Sequence, residues 1–478
     1  MNLKKLTETI KCEIIGNDVE VTSLALSHND CTDGSMFFCI KGNNCNGEDY
    51  IELAIKAGAI AVVSARPLDC CITNIVVSDV RKAMTAICKR FYGDPQKKLK
   101  MIGVVGTDGK TTVCEFVYYM LTGSGIKCGK IGTSGAEYAD IILDTGMTTP
   151  DSPILYKILS EMVDAGVKVV CMELSAHAIY YKKADFIFDI LIFTNCTRDH
   201  LDFFGSIERY RSIKASAFLQ KKCRLAVVNL DEPLGVIIAL KRKSGIITYG
   251  IDQPADVFAV DVCETAGGAA FIINLFDRLY DIKSKLMGKF NVYNMLAAAT
   301  TCALCGLKTD YIAEKLSDLV GVRGRLQKVY SMPNVYIDYA HTPIGLKNVL
   351  SALNKTTNGR VLCVFGCGGN RDAGKRYEMG KISGELADFT IITCDNPRFE
   401  DVNAIICDIE KGVRAIRNAQ YVTISDRKAA IEYALKSAKK TDTVLIAGKG
   451  CENYQDIMGI KIHFSDEEIV SAYYKNEG

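Results

Sequence analysis

The residues best suited to chemistry lie together near position 106. Gly106-Thr107-Asp108-Gly109-Lys110-Thr111-Thr112 follows the apolar run Met101-Ile102-Gly103-Val104-Val105 and opens a helical pattern. Glycines in that setting let backbone N–H groups turn toward a polyphosphate, and the helix N-terminus adds its positive end. Lys110 would neutralise β- and γ-phosphate oxygens, and the Thr111 hydroxyl would reach Mg²⁺. A strict P-loop carries glycine where this chain has Val104, so the loop is a shortened variant. The competing reading is a plain glycine turn between strand and helix. The strand–loop–helix context of Gly-Lys-Thr-Thr favours ATP or a similar nucleotide.

Histidine is scarce, with five in 478 residues: His28, His177, His200, His341 and His463. Two of them follow apparent strands, in Glu173-Leu174-Ser175-Ala176-His177 and in Asn195-Cys196-Thr197-Arg198-Asp199-His200-Leu201-Asp202. In a parallel sheet, residues at the C-terminal ends of strands converge on the edge that also carries a phosphate loop. Glu173 is therefore placed like the carboxylate that completes Mg²⁺ coordination, with His200 at a second strand end. A lone His or Glu at one strand end is more often structural; two such ends beside a P-loop favour a metal–nucleotide centre.

Positioning these groups requires a sheet, and the chain reads as α/β throughout. Short β-branched runs at 58–63, 101–105, 167–172, 190–193 and 225–228 alternate with helical patterns, including 49–56 and 81–92. A β-rich stretch at 257–276 reads as edge hairpins, and four more strands are expected at 335–339, 361–365, 389–393 and 443–447. Breaks at Gly93-Asp94-Pro95 and near Gly321–Arg325 divide the chain into three expected domains, 1–98, 99–322 and 323–478. Lys plus Arg is 58 against 56 for Asp plus Glu, which excludes a nucleic-acid partner held by general electrostatics. The 20 cysteines form no metal-binding spacing, and most of them read as small reduced core residues. No apolar run is long enough for a membrane span, so a cytoplasmic protein is expected.

Five ordered motifs carry a resemblance over about residues 32–455. Gly106-Thr-Asp-Gly-Lys-Thr-Thr, Met172-Glu-Leu-Ser-Ala-His, Thr194-Asn-Cys-Thr-Arg-Asp-His-Leu-Asp, Phe290-Asn-Val-Tyr-Asn and Asp338-Tyr-Ala-His-Thr-Pro resemble the Mur ligases. The likeness is to the branch that adds the third amino acid of the peptidoglycan stem peptide. It implies a small α/β N-terminal domain for the UDP end of the substrate, a central P-loop ATPase domain with a mostly parallel sheet, and a Rossmann-like C-terminal domain. It implies ATP, two Mg²⁺ sites, small-molecule partners and a monomer. In that family ATP phosphorylates a peptide carboxylate and an amine then attacks the acyl phosphate.

By the same resemblance Gly106 to Thr112 would hold the phosphates, with Thr111, Glu173, His200 and a carbamylated Lys214 at the metals. The competing reading of Lys214, in Tyr210-Arg-Ser-Ile-Lys-Ala-Ser-Ala-Phe, is an exposed helix lysine. Asn294, Arg325 and Asp338 would surround the nucleotide, while Ser27, Thr148, Thr149, Ser175 and Lys183 would meet the peptidyl nucleotide. His177 is either near that substrate or structural.

The loop Asp395-Asn396-Pro397-Arg398 would select the amino acid. In the family an arginine there accompanies meso-diaminopimelate, because a guanidinium grips the distal carboxylate with two parallel bonds and repels the bare ammonium of lysine. Glu452, with Gly448 nearby, would receive the far ammonium, and Arg371 the other carboxylate. A simple Asn-Pro turn is the bland alternative. Departures from the family pattern fall at Ser27-His28-Asn29, Asp108, Ala176, Lys183 and Cys451. None removes a group assigned to phosphoryl transfer. The rivals are the same chemistry with L-lysine, another amino acid or an altered nucleotide carrier, and a non-catalytic ATP-binding scaffold.

Overall fold

A computed structural model describes residues 1–42, 45–265 and 267–477. Two compact units comprise it. The first contains Met1–Val105, Leu121–Leu191 and Ser216–Leu225; the second contains Gly106–Met120, Ile192–Ala215 and Ala226–Gly478.

The first unit opens with a five-stranded sheet of β1 (Glu13–Ile15), β2 (Ser23–Ala25), β3 (Ser35–Phe38), β4 (Ala59–Ser64) and β5 (Thr73–Val76), in the order β1-β5-β4-β3-β2. Only β1 runs antiparallel. Phe37, Val62, Ala54 and Ala59 form its core with Cys31 and Cys39. The helix expected over 49–56 begins at Ile51, because Asn46 caps a 3₁₀ turn at Gly47–Tyr50 by accepting the Glu48 N–H. The helix Val80–Phe91 is capped by Asp79, buries Val80, Ala83, Met84, Ile87 and Cys88 on one face, and ends before Gly93.

Next come β6 (Lys100–Val105), β7 (Cys128–Gly132), β8 (Gly135–Tyr138), β9 (Ile141–Leu143) and β10 (Val169–Glu173). β10 lies between β6 and β7, parallel to both, and β7-β8-β9 is an antiparallel meander. β10 runs one residue further than expected: Glu173 pairs with Val104 and is the last residue of the strand. β11 (Phe188–Phe193) and β12 (Cys223–Asn229) follow in the chain.

In the second unit, β12 is followed in sheet order by β13 (Ile246–Gly250), β14 (Val257–Thr265), β15 (Gly268–Leu275) and β16 (Leu279–Ser284). β12, β13 and β14 are parallel, and β14-β15-β16 are antiparallel. β16 lies beyond the stretch read as hairpins. Its turn uses Phe276 and Asp277, both at positive φ, in place of the usual Asn-Gly.

A second sheet in this unit contains β17 (Gln327–Ser331), β18 (Asn334–Asp338), β19 (Val361–Phe365), β20 (Phe389–Ile392), β21 (Tyr421–Thr423) and β22 (Thr443–Ala447), in the order β17-β18-β22-β19-β20-β21. The four expected strands are its centre, and the short edges β17 and β21 are additional. Every residue of β19 and β22 is buried, as a parallel sheet covered on both faces requires. Leu346, Leu350, Met379, Ile405 and Ile409 cover one face; Ala430, Ile431, Leu435 and Val470 cover the other. A hairpin of β23 (Tyr454–Ile457) and β24 (Ile460–His463) precedes the last helix, Asp466–Glu477.

Candidate active site

The glycine loop is held in shape before any ligand arrives. Thr107 and Asp108 donate their N–H groups to Asn195 Oδ1 at 3.1 and 2.9 Å, and the Thr194 hydroxyl donates to the Asp108 carbonyl at 2.7 Å. Space at the two glycines is nil. A Cβ on Gly106 would lie 1.8 Å from Thr194 Oγ1, and one on Gly109, at φ +82°, would lie 2.5 Å from Asn294 Oδ1. Neither position admits a side chain, so the loop keeps the close turn of a phosphate cradle. Lys110 Nζ folds back onto the carbonyls of Gly106 and Thr107 at 3.1 and 2.7 Å, at the mouth of that cradle. Arg325 donates to Thr111 Oγ1 at 3.0 Å and stacks 4.2 Å over the Tyr339 ring. Asp338 accepts the N–H groups of Leu326 and Ala340, and its burial raises its carboxyl to about 6 despite Arg325 nearby.

Lys214 is fully buried, which removes the exposed-lysine reading. Its Nζ donates to Thr107 Oγ1 at 2.7 Å and lies 4.1 Å from the centre of the Tyr210 ring. Burial pulls its pKa down to about 7, and the Lys110 charge acts in the same direction. His200 adopts φ +55° at the start of the short helix Leu201–Phe204, with Nε2 3.3 Å from Asp199 Oδ2. Burial alone would raise the Asp199 carboxyl, but the hydrogen bond to His341 and the charges of His200, His341 and Lys375 hold it well below the carboxylate range.

The residues expected to choose the amino acid are in the same unit. Asn396 Nδ2 donates to Glu452 Oε2 at 2.9 Å, while Lys449 Nζ reaches Asn396 Oδ1 at 3.0 Å and Glu452 Oε2 at 3.3 Å. Asp395 is buried, and a Cβ on Gly448 (φ +112°) would come 2.6 Å from its Oδ2. Arg398 donates to the Gly369 carbonyl at 2.7 Å and lies 3.8 Å from Asp456. Arg371 is exposed. Glu452 thus already holds a cation, since the fully buried Lys449 is its partner.

In the first unit, Glu173 is buried and accepts the Thr133 N–H at 2.8 Å and its hydroxyl at 3.3 Å. Thr148 Oγ1 meets Thr133 Oγ1 at 3.1 Å. Thr149 Oγ1 donates to the Glu173 carbonyl at 2.9 Å and accepts the Ser175 N–H at 3.0 Å, and Ser175 caps the helix Ala176–Tyr180. Lys183 pairs with Asp151 at 2.9 Å and reaches the Thr149 carbonyl at 3.3 Å. Thr148, Thr149, Glu173, Ser175 and Lys183 are therefore one cluster. His177 sits on the Ser175-capped helix and is half-buried. Ser27 caps the 3₁₀ turn His28–Asp30, and the His28 ring stacks on Tyr50 with centroids 5.3 Å apart. Asn43 and Asn44, within the family-like stretch 42–50, lie outside the described residues.

Sequence reasoning missed Asn195, Thr133, Asp199 and Lys449. Asn195 and Asp199 stand inside a quoted motif, so their position was available although their work was not. Lys449 sits between Gly448 and Gly450 and has no pattern that distinguishes it from a surface lysine.

Among the described residues no three His, Cys, Asp or Glu side chains are grouped to hold a metal. Mg²⁺ beside a phosphate loop keeps waters and substrate oxygens and needs few protein ligands, so Thr111 and a carboxylate fit that role. Lys214 as an ammonium does not fit a cation site; converted to a carbamate it would. A glycine cradle with its lysine and threonine, set on a parallel α/β scaffold, defines a P-loop nucleotide-binding protein.

Residues 104–302 match the Mur ligase middle domain, and residues 324–450 match the Mur ligase glutamate ligase domain. The chain is 39% identical over 473 residues to the UDP-N-acetylmuramoyl-L-alanyl-D-glutamate--2,6-diaminopimelate ligase of Geobacillus kaustophilus, covering 97% of this chain and 96% of the relative. It is 40% identical to the protein of the same name from Caldanaerobacter subterraneus, with 98% of each covered. A solved structure of a UDP-N-acetylmuramoyl-L-alanyl-D-glutamate--2,6-diaminopimelate ligase superimposes with a TM-score of 0.68 at 28% identity, over 100% of this chain and 99% of that one. MurF ligase from Thermotoga maritima, solved with ADP, shares the fold at a TM-score of 0.66 and 19% identity, over 95% of this chain and 97% of that one. The chain belongs to the Mur ligase family and is an enzyme of the ligase class.

Proposed function

We propose that this enzyme joins meso-diaminopimelate to the D-glutamyl residue of UDP-N-acetylmuramoyl-L-alanyl-D-glutamate, with ATP converted to ADP and phosphate. The observation that carries the proposal is the buried Lys214 amine bonded to Thr107 of the phosphate loop. Lys110 holds the β- and γ-phosphate oxygens, and Arg325 and Thr111 steady the same end. The D-glutamyl carboxylate attacks the γ-phosphorus, the bond to ADP breaks, and an acyl phosphate forms. The diaminopimelate amine then attacks the acyl carbon, loses a proton, and expels phosphate. Mg²⁺, held by Thr111, Glu173, His200 and carbamylated Lys214 at two sites, would supply charge neutralisation for the phosphoryl oxygens. Carbamylation replaces the Lys214 cation with an anionic oxygen ligand. Thr148, Thr149, Ser175 and Lys183 would meet the peptidyl substrate, and Ser27 its UDP end. Asn294 and Asp338 would border the nucleotide.

Arg398 would grip the distal carboxylate of diaminopimelate, with Asp395 and Asn396 shaping the loop, Gly448 leaving room, and Arg371 binding the other carboxylate. Glu452 would receive the distal ammonium while keeping Lys449 as its partner. The three-domain division at 98/99 and 322/323 belongs to this proposal, and the two domain matches fall inside its second and third parts. A monomer working in the cytoplasm, where ATP and UDP-linked precursors are found, completes it. A second reading, an altered nucleotide carrier, rests on the His28–Tyr50 stack where the family has Asp-Ser-Arg. Phosphate release with the UDP-muramoyl dipeptide and a carrier lacking uracil separates the two: preference for the uracil form supports the first, equal rates the second.

A further inference from the structure

Arg198 has no part in the assignments above, yet its half-exposed guanidinium is held by two carboxylates. Its Nε donates to Asp372 Oδ2 at 3.1 Å, Nη2 to Asp372 Oδ1 at 3.4 Å, and Nη1 to Glu378 Oε1 at 2.8 Å. Asp372 also accepts the Gly374 N–H at 3.0 Å, at the start of the helix Gly374–Leu386. Gly374 leaves the guanidinium its space, since a Cβ there would lie 2.4 Å from Arg198 Nη2. Two carboxylates and a helix start thus receive this one arginine.

What it joins gives the contact its meaning. On one side, Arg198 follows Thr197, whose N–H donates to the Thr107 hydroxyl at 3.1 Å and whose carbonyl is 3.2 Å from the same hydroxyl. His200 is two residues further on. On the other side, Asp372 directly follows Arg371. We infer that Arg198 is a positioning residue that fixes the amino-acid segment around Arg371 relative to the phosphate loop. The inference rests on the proposed assignment of Arg371 to the incoming amino acid. Amide formation needs the amine about 3–3.5 Å from the acyl carbon, so the two segments must keep one mutual placement. A guanidinium fork held by both oxygens of a carboxylate fixes direction as well as distance, which a lysine cannot.

The test is a double-mutant cycle on the full-length enzyme with Arg198→Ala, Asp372→Ala and the pair. Arg198→Ala should raise the KM for meso-diaminopimelate about tenfold or more with the KM for ATP changed less than about twofold, and the double variant should be no worse than Arg198→Ala. Arg198→Lys should recover little. Multiplying single effects, or equal changes in both KM values, would overturn the inference. A second readout needs no amino acid: hydrogen exchange after adding MgATP. Amides 370–376 and 106–112 should both gain protection in the wild type, and Arg198→Ala should lose only the first. Protection at 370–376 kept in Arg198→Ala, or absent from the wild type, would also overturn it. A wrong amino-acid assignment would instead appear as no turnover of diaminopimelate by the wild type, with the exchange pattern intact.

Discussion

Replacing Lys214 with methionine should make the protein more stable at low pH and inactive at every pH. The lysine is fully buried, its amine is bonded to Thr107, and burial lowers its pKa from 10.5 to about 7. At pH 7 about half of these amines are neutral, against about one in three thousand for an ordinary lysine, so the site supplies the nucleophile that carbamylation by CO₂ requires. The same shift sets the stability. Between pH 7 and 10.5 the unfolded chain holds a proton on this group that the folded chain lacks, so stability rises with pH across that window. Below pH 7 both states are protonated and the burden is complete, at most about 5 kcal/mol for a shift of this size. The assay is the thermal midpoint of wild type and Lys214→Met at pH 6 and pH 9 in buffer purged of CO₂. The variant should lead at pH 6, and that lead should narrow by about 3 kcal/mol by pH 9. Bicarbonate labelled with ¹³C should then give a carbamate signal in the wild type alone. A constant difference between the two proteins at both pH values, with no carbamate signal, would refute the reasoning.

Other expectations are more local. Lys214→Ala should lose turnover and regain part of it with short carboxylates such as acetate, measured by phosphate release. Gly109→Ala forces a side chain to φ +82° and within 2.5 Å of Asn294, so the KM for ATP should rise at least about tenfold, combining left-handed strain of about 1–2 kcal/mol with the clash. Arg398→Ala should raise the KM for diaminopimelate far more than that for ATP; equal effects would remove Arg398 from the amino-acid site. Lys449→Met strips the buried partner from Glu452 and should cost about 3 kcal/mol in urea unfolding, the lower end for a broken buried pair because Glu452 is 19% exposed.

The glycine loop was legible because its chemistry needs consecutive residues in one strand–loop–helix. The central strands of the last sheet were legible because β19 is an unbroken apolar run and β18, β20 and β22 are built on the apolar residues 335–337, 391–392 and 444–447. The edges β17 and β21 were not: Gln327–Ser331 and Tyr421–Thr423 are largely polar or half-exposed, and they pair on one side only. The turn before β16 escaped because Phe276-Asp277 carries no glycine to announce positive φ. The burial of Lys214 also could not be read locally. In the sequence it lies among Arg211, Ser212, Ala215 and Ser216, an unremarkable helix surface; the Tyr210 ring one turn back covers part of it, and long-range packing on Thr107 closes it in. Lys449 was invisible because its burial depends on Asn396, 53 residues away in the chain, although Glu452 is only three residues on.

The central claim is an amide ligase that adds meso-diaminopimelate. The most direct measurement is phosphate release from ATP with the UDP-muramoyl dipeptide present, comparing meso-diaminopimelate, L-lysine and no amino acid, with the product weighed by mass spectrometry. Release that depends on diaminopimelate, together with the mass of the tripeptide, is the predicted result. Turnover with lysine alone would contradict the role of Arg398, and no turnover with any amino acid would contradict the ligase assignment itself.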